Sequence, residues 1–225
     1  MDVQWVRVGV TNTYLIRDRG AVLVDPGEPG RGETVLRKLA AVADGVVNPG
    51  LIVATHGHFD HIGAATEVRA ATGAKVAMHA GDAALLAQGI VAMPPGVTRW
   101  GRFSGNIILK PLYLPFLRIT PLAPDVVLGD EDFALEPFGV AGTVIHTPGH
   151  SPGSVTLLLD SGEAFVGDAA MNGFPFCRRP SLPIYAEDLP LLKESWRHLL
   201  SRHVTTIYPA HGRPFPAEEM TALVA

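Results

Sequence analysis

Cysteine is almost absent from this chain. Cys177 stands alone, so no intramolecular disulfide can form, and a reducing, cytoplasmic setting is expected. Positive charge is also scarce: 18 Lys and Arg face 22 Asp and Glu, for a formal charge of −4. That balance lacks the basic footprint of a nucleic-acid binder, so no nucleic-acid partner is expected. No apolar run is long enough to span a membrane, and the opening MDVQWVRVGV has no basic stretch leading into an apolar leader core. Charged residues make up only 18 % against 47 % apolar, a composition that excludes wholesale disorder. No serine-hydrolase elbow of the form G-x-S-x-G is expected, nor a Walker or dinucleotide glycine fingerprint in strand-to-helix context.

What is present is a loop-rich chain, with 24 Gly and 19 Pro in no collagen-like period. At about 150 residues per domain, residues 1–225 suit one domain with an insertion. Short β-rich runs are read at Val3–Val8, Thr13–Ile16, Ala21–Val24, Leu51–Ala54 and Lys75–Met78. Helical spacing marks Glu33–Ala43, Ala64–Thr72 and Asp82–Gln88. Further strands are expected at Phe133–Leu135, Thr143–His146, Val155–Leu159, Ala164–Val166 and Thr206–Tyr208. Helices follow at Leu189–Ser201, capped by Asp188, and at Ala217–Val224. Mixed strands and helices point to a layered α/β domain.

The stretch Met93–Pro124 differs from the rest. It holds Pro94, Pro95, Pro111, Pro115, Pro121 and Pro124 among apolar and aromatic residues, a density that argues against a long regular helix. A surface excursion, a homodimer contact through 93–124 and a lid over a site are the readings it supports. A membrane-surface contact ranks below them, because Lys110 and Arg118 interrupt the run and no amphipathic helix is evident.

The chemistry concentrates in Thr55-His56-Gly57-His58-Phe59-Asp60-His61, directly after the apolar run Leu51–Ala54. Imidazole and carboxylate groups crowded this closely would compete for solvation, and a zinc-like cation removes the conflict. His56 and His58, two apart, point to the same side of an extended loop. Asp60 and His61 fall at the turn into a helix and reach a second position. His150, Asp168 and His211 each follow an apolar strand, where ligand groups collect at the carboxyl ends of α/β sheets. Taken singly, His150 or His211 would read as a structural turn histidine.

These motifs together resemble the metallo-β-lactamase-fold superfamily of metal-dependent hydrolases, in its glyoxalase II-like branch. The resemblance runs over nearly the whole chain through five motifs, beginning with Leu23-Val24-Asp25-Pro26-Gly27 and including Thr147–Ser154 and Val166-Gly167-Asp168. It implies a four-layer αββα sandwich with the site at the edge where two sheets meet. It implies that His56, His58 and His150 hold one metal, that Asp60, His61 and His211 hold another, and that Asp168 bridges them while Asp25 supports. Two zinc ions per chain are the default expectation; iron or manganese also suits this ligand set. The chain ends soon after His211, so the carboxyl-terminal domain that gives glyoxalase II its glutathione contacts is not expected. It is also too short for the inserted domain of the RNA-processing branch.

The expected activity is that of a dinuclear metal-dependent hydrolase of a small molecule. A metal-bridging hydroxide would cleave a thioester, lactone or related ester, and Asp60 would orient the nucleophile. The alternatives are an iron-dependent oxidoreductase of the persulfide dioxygenase type and a phosphodiesterase. Substrate contacts are expected from Met93–Pro124 and from Met171–Tyr185, with Arg178, Arg179 and Tyr185 as candidates. Cys177 reads as a plain thiol. His79, His146, His198 and His203 read as structural.

Overall fold

The computed structural model describes residues 1–173 and 179–224. Strands β1 (Asp2–Val8), β2 (Thr11–Arg17) and β3 (Ala21–Val24) form an antiparallel meander. The chain then alternates α1 (Gly32–Val42), β4 (Leu51–Val53), α2 (Phe59–Ile62), α3 (Ala65–Thr72), β5 (Lys75–His79) and α4 (Ala80–Gln88). Short helices α5 (Arg99–Phe103) and α6 (Lys110–Leu112) precede β6 (Val126–Leu128). Strands β3 to β6 pair in parallel, which completes a six-stranded sheet in chain order.

The second sheet comprises β7 (Phe133–Ala134), β8 (Gly142–His146), β9 (Val155–Leu159), β10 (Glu163–Met171), β11 (Thr206–His211) and β12 (Phe215–Pro216), again neighbour to neighbour. Helix α7 (Leu189–Leu200) crosses between the parallel pair β10 and β11, and α8 (Glu218–Val224) follows β12. Asp188 caps α7 by accepting the Leu191 N–H at 2.9 Å, and Pro190 occupies the first turn, where no N–H is needed.

Period-two alternation divides the apolar residues into layers. Leu15, Leu23, Ile52, Val76 and Met78 pack outward on Val35 and Leu39 of α1 and Val68 of α3. Their strand neighbours Tyr14, Ile16, Val22, Leu51 and Val53 pack inward against Leu157, Leu159 and Phe165 of the second sheet. The outer face of that sheet, Ala164, Val166 and Ile207, carries Leu192, Trp196 and Leu199 of α7. The result is a helix–sheet–sheet–helix sandwich, the α/β architecture expected. Strand β4 is buried on both faces, which is why its sequence is an unbroken apolar run.

Several elements depart from the sequence reading. Between residues 99 and 116 the chain is helical: α5, a π-helical turn at Ser104–Leu109, α6 and a 3₁₀ turn at Leu114–Phe116. Residues 96–110 hold no proline, and Pro111 and Pro115 sit in the first turns of α6 and the 3₁₀ turn, where no N–H is needed, so short helical pieces form where a long regular helix does not. Strands β6 and β12 were not anticipated, since each is very short and takes its identity from the sheet edge it pairs with. Strand β10 runs to Met171 rather than stopping at Val166, so Asp168 lies within a strand, not in a loop after one. His211 likewise is the last residue of β11.

Candidate metal centre

The turn after β4 is held from below by Asp25, at the end of β3. Its Oδ1 accepts the Thr55 N–H and its Oδ2 accepts the Thr55 hydroxyl, each at 2.8 Å. Oδ2 also accepts from His61 Nδ1 at 2.8 Å. Gly167, with φ of 54°, lets β10 pass close by. A Cβ there would lie 2.4 Å from Thr55 Oγ1, so no side chain fits. The β10–β11 register shifts on either side of Gly167, and this irregularity places Asp168 at the cluster.

His56, His61, His150 and His211 each have one nitrogen committed outward. His56 Nδ1 faces Thr55 Oγ1, whose own proton goes to Asp25. His150 Nδ1 donates to the Tyr185 carbonyl at 3.0 Å, and His211 Nδ1 to the Val10 carbonyl at 2.9 Å. With these donors assigned from their partners, the Nε2 atoms of His56, His61, His150 and His211 turn inward as lone pairs. His150 Nε2 lies 3.2 Å from His56 Nε2 and 3.0 Å from His58 Nδ1. Nitrogen lone pairs this close repel unless a cation or a proton lies between them. Among the described residues, buried His61 Nε2 and Asp168 Oδ1 have no hydrogen-bond partner.

Asp168 faces both halves of the cluster. Its Oδ1 is 3.4 Å from His61 Nε2 and 3.2 Å from His211 Nε2, and its Oδ2 is 3.8 Å from His150 Nε2. Asp60 Oδ2 is 3.3 Å from His211 Nε2 and 3.6 Å from His61 Nε2. Two groups, His56 with His58 and His150, and Asp60 with His61 and His211, each have ligand atoms within metal-binding reach of one another. The donor set of imidazole nitrogens and carboxylates fits divalent transition ions.

The electrostatics divide along the same line. Burial, reinforced by neighbouring histidines, pushes His56 well below its ordinary value and His58 down to about 3. Burial also lowers His150. At His61 and His211 burial acts downward too, but carboxylates outweigh it. Asp60, Asp25 and Asp168 hold His61 well above its ordinary value, and Asp168 and Asp60 raise His211 to about 10. Asp60 and Asp168 are pulled below the usual carboxylate range, despite burial, by His61 and His211. Without metal, protons on the second group take the place of a cation.

Three positioning residues escaped the sequence reading. The carboxylate of Asp82, in the first turn of α4, is buried. Its Oδ2 accepts the Gly57 N–H at 2.7 Å and the Ser151 hydroxyl at 2.6 Å, and its Oδ1 accepts the Gly153 N–H at 2.9 Å. It therefore ties the His56–His58 loop to the His150 loop. Thr11 donates its hydroxyl to Asp60 Oδ2 at 2.8 Å. Asn12 donates to the Pro209 and Gly212 carbonyls, which holds the end of β11 and hence His211. No local pattern marks these residues, since each acts on a partner far away in sequence.

Residues Gly149–Gly153 do spell G-x-S-x-G, a serine-elbow lettering against the expectation of none. Here it is a buried turn in which Ser151 donates to Asp82, contacts Ser154 and does not line the cavity, so it is not placed as a nucleophile. The Tyr185 hydroxyl makes a short hydrogen bond with Ser104, so its ring lines the site while its carbonyl orients His150. Arg179 is exposed and does not line the cavity; Arg178 and Cys177 lie outside the described residues. His79 and His146 stack at 3.9 Å and share Asp130. His79 Nδ1 accepts the Gly81 N–H, so Nε2 carries the proton given to Asp130, as befits a structural histidine.

A cavity of about 370 Å³ opens onto the cluster. His58, Asp60, His150, Asp168 and His211 line one side, and Val10, Phe59, Met93, Leu109, Met171 and Ile184 contribute apolar walls.

The profile of the metallo-beta-lactamase superfamily matches residues 6–211. A probable metallo-hydrolase, YqgX of Bacillus subtilis, is 29 % identical over 178 residues, covering 76 % of this chain and 73 % of that protein. A hydroxyacylglutathione hydrolase of Anaeromyxobacter dehalogenans is 35 % identical over 72 % of this chain, which spans 47 % of its length. Among solved structures, TTHA1623 in a di-iron-bound form has a TM-score of 0.67 at 27 % identity, covering 98 % of each chain. The BLEG-1 B3 metallo-beta-lactamase has a TM-score of 0.72 at 24 % identity, covering 98 % of this chain and 97 % of that one, a likeness of fold.

Proposed function

Because the chain belongs to the metallo-beta-lactamase superfamily, we propose that it is a dinuclear, metal-dependent hydrolase of small esters, thioesters or lactones with an apolar acyl group. The observation that supports this reading is the convergence of inward-facing imidazole nitrogens on two carboxylates at the floor of an apolar cavity. His56, His58 and His150 would hold one ion, Asp60, His61 and His211 the other, and Asp168 both. Zinc is the default metal, and two such ions when bound supply Lewis acidity and an activated water at neutral pH.

The chain's own groups account for the rest. Asp60, fixed by the Thr11 hydroxyl, would orient the attacking water. Asp25 and the Val10 and Tyr185 carbonyls orient the imidazoles so that their Nε2 atoms face inward, where a metal would displace the protons that His61 and His211 otherwise hold. The apolar walls seat the acyl group and exclude bulk water.

A panel of thioesters, lactones, β-lactams and phosphodiesters, assayed with enzyme of known metal content, tests the reading. Turnover of an apolar ester or lactone, lost in Asp60→Ala together with one metal equivalent, is expected. Full activity in Asp60→Ala with both metals retained would refute the role given to Asp60. An iron-dependent oxidation is the second reading, suggested by the di-iron-bound neighbour. Iron in protein purified without added metal, with oxygen uptake, would favour it.

A further inference from the structure

The helical stretch that closes one side of the cavity has an outer face with no partner. Of thirteen exposed large apolar residues in the described chain, six fall between Phe103 and Phe116. Ile107, Leu112 and Phe116 are 58 %, 67 % and 79 % exposed, values unusual for such side chains. Elsewhere exposed apolar residues are scattered, but here they follow one another along α5, the π-helical turn, α6 and the 3₁₀ turn.

The charge on the same stretch is one-sided. Residues 93–124 contain Arg99, Arg102, Lys110 and Arg118 and no Asp or Glu. All four cations are exposed. With −4 for the whole chain and +4 for this stretch, the rest of the chain carries −8. The segment that exposes the apolar side chains thus carries a net positive charge, while the rest of the chain is net negative.

We propose that this segment is a docking surface for anionic lipid, with Phe103, Ile107, Ile108, Leu112 and Phe116 entering the headgroup boundary and the four cations pairing with lipid phosphates. The combination of apolar depth and exclusively positive charge matches that surface. It is a poor match for the same face of a second copy, because symmetric pairing would set four cations against four with no carboxylate in the segment to offset them. Among the described residues no helix is long and apolar enough to cross a membrane, so the segment would lie on the surface. Leu109 and Tyr113 of the same stretch line the cavity, so docking turns the cavity rim toward the lipid. The inference stands independently of the hydrolytic reading, since it uses none of the candidate metal ligands.

Co-sedimentation of the metal-loaded full chain with vesicles tests it. Binding to phosphatidylcholine–phosphatidylglycerol vesicles is expected, with little binding to phosphatidylcholine alone, and with release at ~0.5 M salt. The pairs Ile107→Asp with Phe116→Asp and Arg102→Glu with Lys110→Glu should each weaken binding by about tenfold or more while metal content stays unchanged. Should the apolar pair fail to fold, the exposed charge pair carries the test. Absence of binding to anionic vesicles overturns the proposal, as does equal binding to neutral ones. A dimer in sedimentation velocity that the same substitutions dissociate also overturns it, by assigning the face to a second copy.

Discussion

Replacing Asp82 tests whether one buried carboxylate sets the spacing of His58 and His150. Asp82 accepts two backbone amides, from Gly57 and Gly153, and the Ser151 hydroxyl. Alanine would leave both amides buried without partners, at about 1–3 kcal/mol each, so a loss of roughly 2–6 kcal/mol in stability is expected, less where water enters. Ser151 retains Ser154 as a partner. Asparagine keeps the shape but turns an NH2 toward a donor, and should cost about 1–3 kcal/mol. Metal affinity should fall about 10- to 100-fold, the usual effect of removing a group that orients ligands. The loss should be confined to the first group, because Asp82 touches neither Asp60, His61 nor His211. Chelator competition with metal counting and thermal unfolding are the assays. Leu199→Ala in α7, which costs about 2–5 kcal/mol by cavity formation, is the control for general destabilisation and should leave both metal equivalents in place. Unchanged metal affinity in Asp82→Ala would refute the argument, as would equal loss of both equivalents.

Gly167→Ala should destabilise the fold by about 1–3 kcal/mol and lower metal content, since its Cβ would meet Thr55 Oγ1 at 2.4 Å in a left-handed conformation; wild-type unfolding and metal content would contradict this. Asp125 gives a pH signature. The Val76 N–H and the paired Arg69 hold its carboxylate below the ordinary 3.8. A depressed carboxylate contributes stability that is complete above its unfolded value and lost as pH falls through its folded value. Urea midpoints for Asp125→Asn should therefore lie below wild type at ~pH 6 and converge with it toward ~pH 3, and a pH-independent gap would sink the assignment.

The layered fold was legible because its signals are local. Ala21–Val24 and Val155–Leu159 coincide with β3 and β9, where apolar runs end at turn residues. Gly73 and Gly89 close α3 and α4 in left-handed geometry, as helix-ending glycines do. Proline density argues against a long regular helix at 93–124, and the stretch 99–116 holds only short helical pieces of mixed type, which no sequence period marks.

By itself, the sequence determined which side chains could bind a metal, through their type and their place at strand ends, and it determined the period-two alternation that forces the layers. Only the tertiary structure decided which nitrogen of His150, His211 and His61 faces inward, because that depends on Tyr185, Val10 and Asp25 supplying acceptors from other parts of the chain. It alone placed Asp168 inside a strand and made Asp82 and Thr11 part of the centre. Hydrogen-bond partners distant along the chain leave no periodic or local trace, so their pairing exists only once the two sheets have packed.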